Sequence, residues 1–381
     1  MSTLDARAGP AAQDGMARPA PTLTIVAAGT GGHVMPGLAV AQALRERGWS
    51  VRWLGTHAGM ERELVERAGL PFDALAFTSI RGKGPWALAA GAFRLARATL
   101  ASLRILRRTA PQVVLTTGGY VAVPAGLAAA WLRRPLLFLN ADAAPQLSLR
   151  LLLRFVRVVL CGFDGSAARL AGAKACVSGA PVRAQIAALP DPATRFAARS
   201  GPLLLLVVGG SRGARVLNET VPAALAELDP AQRPAVVHQC GAGNEAATRA
   251  AYARLGVAAE VLAFIDDIGA RYGAADLVLC RAGAITVAEL CAAGLGAILV
   301  PLVVSTTAHQ RANAQFLAQH GAALHLPQAQ CTPAALAGLL RGLARPHLEE
   351  MARQARALGR PAATALVVGQ IEAQLPAGAA A

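Results

Sequence analysis

An α/β protein of two Rossmann-like, doubly wound domains facing across a cleft is what this sequence predicts, and three observations predict it. The chain has 381 residues, more than one hydrophobic core usually serves, so two cores are expected. A strand, a glycine loop and a helix follow one another twice, starting near Leu23 and again near Leu203, about 180 residues apart. A third such turn, VVLTTGGYVAVP, runs from Val113 to Pro124.

The elements follow in chain order. Residues 1–21 lack the apolar segment and cleavage pattern of a signal peptide and read as a disordered tail, which predicts a protein retained in the cytoplasm. The first domain is placed at 22–186. Its strand Leu23 to Ala27 enters Gly29-Thr-Gly-Gly-His33, a helix runs from about Met35 to Arg47, and Gly48 ends it before the strand Val51 to Leu54. Residues 187–202, AALPDPATRFAARSGP, have the most linker-like composition of the interior. The second domain, 203–360, opens with the strand Leu203 to Val208 and the loop Gly209-Gly-Ser-Arg-Gly-Ala214, followed by a helix ending near Leu228. Its centre is Cys280 to Asn313, where a polar loop, a short helix stopped by Gly294 and the strand Ala297 to Val300 make one βα step. Residues 361–381 read as a final helix, long enough to cross back onto the first domain, and a tail.

Composition excludes several classes. Hydrophobic residues make up 54% and charged residues 15%, yet the best candidate span, Val121 to Leu139, is broken by Pro124, Arg133, Arg134 and Pro135. The six cysteines form no C-x-x-C pair, which argues against structural zinc and a disulfide framework. A net charge of +15 suggests nucleic acid until the charges are located. Twelve basic residues against one acid between Arg81 and Arg157 leave +11 of that excess in one segment, a pattern suited to an anionic membrane surface. On a helix, Arg94, Arg97, Arg104 and Arg108 share one face, with Ala92, Leu95, Leu103 and Leu106 opposite and Phe93 and Leu100 near the border. Trp86 and Trp131 are candidate interfacial anchors.

The chemistry-bearing motifs each carry two readings. Thr286-Val-Ala-Glu289 fits a capping box, with Thr286 as N-cap; alternatively Glu289 accepts from a ligand diol while the helix start takes anionic groups. His33 either caps its loop or takes a proton as a neutral imidazole. No acid closes the second strand, where Leu54-Gly-Thr-His57 stands, so a dehydrogenase is not expected, and Arg81-Gly-Lys-Gly84 is no triphosphatase loop.

Taken together, Gly29 to Pro36, Arg81-Gly-Lys-Gly84, Gly118-Gly-Tyr120, Pro181-Val-Arg183, Gly209 to Ala214, Phe264-Ile-Asp-Asp267, Cys280 to Glu289 and His309-Gln310 resemble the MurG family of peptidoglycan N-acetylglucosaminyltransferases. The likeness covers about residues 22 to 345 in unbroken order. It implies the GT-B fold and inverting transfer of N-acetylglucosamine from UDP-N-acetylglucosamine to the undecaprenyl-linked acceptor lipid I, with no metal, no cofactor and no nucleic acid. The enzyme would sit peripherally on the cytoplasmic face of the inner membrane. The resemblance also assigns residues: Ile265 to uracil, Glu289 to the ribose, and Ser211 with the helix start Ala284, Ile285 and Thr286 to diphosphate. Val287 and Ala288 complete that stretch, Gln310 meets the sugar hydroxyls, and Thr30, Gly31, Gly32 and Arg183 close the cleft. His33 is the first candidate for the base and Asp142 the second.

The sequence departs from the family's pattern around the sugar. Leu139-Asn-Ala-Asp142 replaces His-Glu-Gln-Asn, Val304 replaces a histidine, Thr307-Ala308 replaces Asp-Asp, Arg212 a glutamine, Ala282 a serine and Ala180 an asparagine. Two other functions therefore stay open: a UDP-sugar transferase with another acceptor, and a non-catalytic scaffold that binds UDP-sugar or membrane.

Overall fold

Short runs rich in Val, Leu and Ile form two parallel sheets covered by helices, because strands buried on both faces need apolar residues at every position. Strand Val113–Gly118 is buried throughout, as is Leu277–Cys280 in the second sheet. The computed structural model describes residues 20–29, 31–57, 59, 61–78, 85–210, 213–302 and 308–375. The N-terminal tail, Thr30, Lys83, Ser211, Arg212, Val304 and Thr307 lie outside the described residues.

In the first half β1 (Thr22–Ala27) leads to α1 (Gly31–Arg45), β2 (Ser50–Thr56) to α2 (Glu61–Arg67) and β3 (Phe72–Leu75) to α3 (Pro85–Thr109). Then β4 (Val113–Gly118) leads to α4 (Ala122–Trp131), β5 (Leu136–Asn140) to α5 (Leu147–Leu152), and β6 (Val158–Cys161) to α6 (Ser166–Ala171), before the short β7 (Ala175–Cys176). Two short helices, α7 (Ala184–Ala187) and α8 (Pro192–Ala197), connect the halves. The second half runs β8 (Leu204–Val208), α9 (Arg215–Ala226), β9 (Ala235–Gln239), α10 (Glu245–Arg254), β10 (Glu260–Leu262) and α11 (Ile268–Ala274). It continues with β11 (Leu277–Cys280), α12 (Ala284–Ala293), β12 (Ala297–Leu299), α13 (Ala308–Gln319), β13 (Ala323–His325), α14 (Pro333–Arg341), α15 (Arg345–Leu358) and α16 (Ala363–Glu372).

The first sheet is ordered β3-β2-β1-β4-β5-β6-β7 and the second β10-β9-β8-β11-β12-β13, with parallel pairing throughout. Strand order reverses between β1 and β4 in one half and between β8 and β11 in the other, and open α/β sheets bind ligands at the carboxyl ends of strands at such points. The loops that leave those four strands are the glycine-bearing motifs of the sequence. At the first switch point Gly119 has φ +82°, and any side chain there would collide with the Ala28 carbonyl. Glycine is what lets the two loops touch.

Three local expectations shift. Helix α1 begins at Gly31 rather than near Met35, which places His33 inside its first turn. The linker-like stretch contains α8, whose N-cap Asp191 accepts from the Ala193 amide at 2.9 Å, and Phe196 joins the core of the second half. On α3, Ala98, Ser102 and Leu106 face inward, whereas Ala92 is exposed beside Phe93, Arg94, Arg97, Leu100 and Arg104. The last helix lies on the first half: Val367, Val368 and Ile371 of α16 pack with Val40 and Leu44 of α1, and Glu372 pairs with Arg47 at 3.1 Å.

Candidate functional site

Helix α12 starts at the second switch point. Its N-cap is Gly283, in extended conformation and without a side-chain cap, so the first amides of the helix have no intrahelical acceptor. Thr286 is therefore the third helical residue and not the N-cap, which excludes the capping box. Glu289 turns instead toward Arg183, with Nε to Oε1 at 2.8 Å and Nη2 to Oε2 at 3.0 Å. Burial holds the Glu289 carboxyl above its ordinary value, and the Arg183 hydrogen bonds and charge pull it part of the way back. Burial opposes the Arg183 charge, but Glu289 holds that guanidinium above its ordinary value. Arg281, next to the helix start, points away from it and donates to the Val300 carbonyl at 3.1 Å and to Gln328 at 2.7 Å. At the far end of α12, Arg195 donates to the Ala293 and Gly294 carbonyls and Arg356 to that of Ala292, so two cations complement the negative end of the dipole.

Helix α1 packs against α12 from the other half. His33 is anchored through its carbonyl, which accepts from Thr117 Oγ1 at 2.6 Å, and its Nδ1 is buried without a partner among the described residues. Burial lowers the His33 pKa below 6.5; the charge of Asp142 acts against that, His309 with it, and a hydrogen bond to the Gln146 side chain against it. The ring is thus neutral near pH 7 and is influenced by groups of both halves. Asp142 is buried, and its Oδ1 accepts from Asn313 Nδ2 at 2.9 Å, which leaves it less available as a base than the sequence suggested. Asn313 also donates to the Ala282 carbonyl at 3.1 Å and accepts from the Ala143 amide at 2.8 Å, joining the β5 loop to the start of α12.

Between α1, the segment Pro181–Ala188 and α12 lies a cavity of about 1290 Å³, with Met35, Leu38 and Gln42 on one wall and Arg183, Ile285 and Glu289 on the other. That volume accommodates a nucleotide-sized ligand; His33, Ile265 and Gln310 are not part of its lining. Ile265 is buried in the loop before α11, and Gln310 at the start of α13 accepts from the Leu302 amide at 2.9 Å. Among the described residues no group of three or more His, Cys, Asp and Glu side chains is placed to hold a metal.

The glycosyltransferase family 28 N-terminal domain matches residues 23–161, and the family's C-terminal domain matches residues 204–366. This chain belongs to glycosyltransferase family 28. It is 55% identical over 355 residues to the UDP-N-acetylglucosamine--N-acetylmuramyl-(pentapeptide) pyrophosphoryl-undecaprenol N-acetylglucosamine transferase of Methylibium petroleiphilum, covering 92% of this chain and 96% of that protein. The protein of the same name from Chromobacterium violaceum is 54% identical, with 91% and 96% covered. The crystal structure of Acinetobacter baumannii MurG superposes with a TM-score of 0.80 at 37% identity and covers 93% of this chain and 99% of that one. The resemblance drawn from eight motifs and the two-domain GT-B fold both stand. CalG4, the calicheamicin glycosyltransferase, is 18% identical with a TM-score of 0.63 and shares the fold alone.

Within this family 28 chain, Arg183, Ile285 and Glu289 of the motifs line the cavity, and the residues behind the loops belong to no motif. Glu61, Gln146, Gln239 and Asn313 support the loops from buried or half-buried positions, and nothing in their local sequence marks them. Glu61 is fully buried, accepts from the Thr56 amide at 2.9 Å and hydroxyl at 2.6 Å, and takes the Gly29 amide of the first glycine loop at 3.3 Å.

Proposed function

We propose that this chain is an inverting glycosyltransferase that moves N-acetylglucosamine from UDP-N-acetylglucosamine to the muramyl 4-hydroxyl of undecaprenyl-diphosphate-linked MurNAc-pentapeptide, converting lipid I to lipid II. The observation that carries this reading is the packing of α12, with its uncapped N-terminus and buried Glu289, against α1 of the other half, which carries the neutral, anchored His33. The main chain at Ile265 pairs with uracil. Glu289 accepts from the ribose diol; a carboxylate has about four lone-pair sites, so the two bonds from Arg183 leave room for it. Ser211 and the amides of Ala284, Ile285 and Thr286 hold the diphosphate, Val287 and Ala288 continue that wall, and Gln310 meets the sugar hydroxyls. Thr30, Gly31 and Gly32 border the acceptor.

In one displacement the 4-hydroxyl oxygen bonds to the anomeric carbon as the bond to the diphosphate oxygen breaks, and the electron pair leaves with UDP. His33 takes the hydroxyl proton, for which its lowered pKa keeps it unprotonated. The helix amides stabilise the charge that develops on the leaving diphosphate. The unusual residues at the sugar site support one another: Asn140 Nδ2 donates to the Asp142 carbonyl at 2.6 Å and the Ala144 carbonyl at 3.1 Å, while Asp142 holds Asn313.

A polyprenyl acceptor stays in the bilayer, and no helix among the described residues is long and apolar enough to cross one. Phe93 and Leu100 on α3, Trp131 at the end of α4, and Leu147 and Leu151 on α5 are all exposed, interspersed with Arg94, Arg97, Arg104 and Arg150. An apolar and basic face of this kind suits peripheral attachment to an anionic cytoplasmic leaflet. Incubation with labelled UDP-N-acetylglucosamine and a short-chain lipid I analogue tests the function. The expected result is a β-linked disaccharide product with one UDP released per transfer; UDP binding without product would support a scaffold instead.

A further inference from the structure

The Ile265 loop, assigned to the base, and the Gly209–Gly210 turn, which in sequence leads into the assigned Ser211, belong to different βα units, and one buried side chain joins them. Gln239 ends β9 and is 3% exposed. Its Oε1 accepts from the Gly210 amide at 2.9 Å, and its Nε2 donates to the Gly210 carbonyl at 2.8 Å and the Ala263 carbonyl at 2.9 Å. The main chain repeats the tie, since Gly209 N donates to the Gln239 carbonyl at 3.0 Å and Cys240 N to that of Leu262 at 2.9 Å. The flanking residues stiffen the same point: Asn218 of α9 donates to the Cys240 carbonyl at 3.0 Å and meets His238 Nε2 at 3.1 Å. Gly213, at φ +73°, presses so closely on the Cys240 carbonyl that no side chain fits there.

We propose that Gln239 is a positioning residue for the donor, a clasp that fixes the spacing between the base-holding loop and the diphosphate-holding turn. A nucleoside diphosphate bridges both stretches, so its affinity depends on that spacing, whereas a nucleoside alone touches only the base loop. Pre-set spacing spares the ligand the cost of ordering two loops. An amide suits the position because it supplies one acceptor and two donors without charge; a carboxylate would face two carbonyl oxygens and repel the phosphates. The inference rests on the donor assignment proposed above.

The test compares UDP with uridine by calorimetric titration, and KM for the donor with KM for the acceptor and kcat. Gln239→Met keeps the bulk and removes all three side-chain hydrogen bonds. It should weaken UDP about tenfold and raise the donor KM similarly, with uridine affinity, acceptor KM and kcat each within about twofold. Gln239→Asn, which retains the head group but shortens its reach, should do the same and serves if the Met variant does not fold. Gln239→Glu should be no better than Met. A purely structural role would lower the melting temperature and the active fraction yet leave the UDP-to-uridine affinity ratio at the wild-type value, and that result in either neutral variant overturns the clasp. Failure of the wild-type protein to bind UDP overturns the donor assignment instead.

Discussion

The two glycine turns of this molecule are alike in plan and differ in what lies beneath them. Under the first, the carboxylate of Glu61 takes the Gly29 amide; under the second, the neutral amide of Gln239 takes the Gly210 amide. A carboxylate occupies an amide that an anion would otherwise use, and repels a phosphate about 5 Å away by on the order of 3 kcal/mol at an effective dielectric near 20. The neutral clamp also occupies an amide but sets no charge beneath its turn. An anion would meet a like charge beneath the first turn and none beneath the second. The lesson is that two glycine loops alike in sequence can differ as anion sites through the charge of the side chain that supports them.

Acid should separate the halves most strongly. His238, beside the neutral clamp, is fully buried between Tyr252 and Asn218, and burial lowers its pKa to about 4. The unfolded chain takes up that proton below about pH 6.5 and the folded chain only near pH 4, so stability is lost as pH falls through this window, by about 3 kcal/mol in total. Denaturant unfolding at pH 7 and pH 4.5 should report the loss, and His238→Asn should flatten the slope. An unchanged slope in that variant would assign the acid sensitivity elsewhere.

Turnover should divide the halves next. His33→Ala is expected to lower kcat by roughly 10², because a proton acceptor acts mainly in the transition state, and to leave UDP affinity at the wild-type level. A matching loss of UDP affinity would mean that the first half binds donor as well, and the contrast between the loops would fail.

On the donor side, Glu289→Gln should weaken UDP by about 1 to 3 kcal/mol, since it removes a charged partner of both the ribose and Arg183. Titration of UDP into this variant decides the matter. Unaltered affinity would make the Arg183–Glu289 pair a link between the halves with no ligand function.

The smallest effect per residue concerns the outer face of the first half. Arg94, Arg97 and Arg104 are exposed, and each should add about 1 kcal/mol of attraction to an anionic surface. Arg108 is held by Asp73 at 2.5 Å, so it is left in place when the other three are changed to Gln. Sedimentation with phosphatidylglycerol vesicles should fall sharply in the triple variant and in high salt. Equal binding of wild type and variant, or equal binding to neutral vesicles, would argue for attachment by the apolar residues alone.

The sequence by itself determined the two-sheet architecture and the glycine turns at its switch points. Glycine turns after apolar runs are dictated by neighbouring residues, so β1, β8, β11 and the loops that follow them could be located without coordinates, as could the basic face of α3. Local pattern failed where a partner lies far along the chain. Thr286-Val-Ala-Glu289 has the spacing of a capping box, but the extended Gly283 starts the helix earlier and Arg183, 106 residues away, claims the carboxylate. The tertiary structure alone decided that Glu61 and Gln239 support opposite turns with opposite electrostatic consequence. It likewise decided that Asp142 holds Asn313 from 171 positions away and that α16 lies on α1. Backbone shape is set by residues within a few positions, whereas a buried polar group must find its partner wherever packing brings one, because leaving it unpaired costs more than any local preference returns.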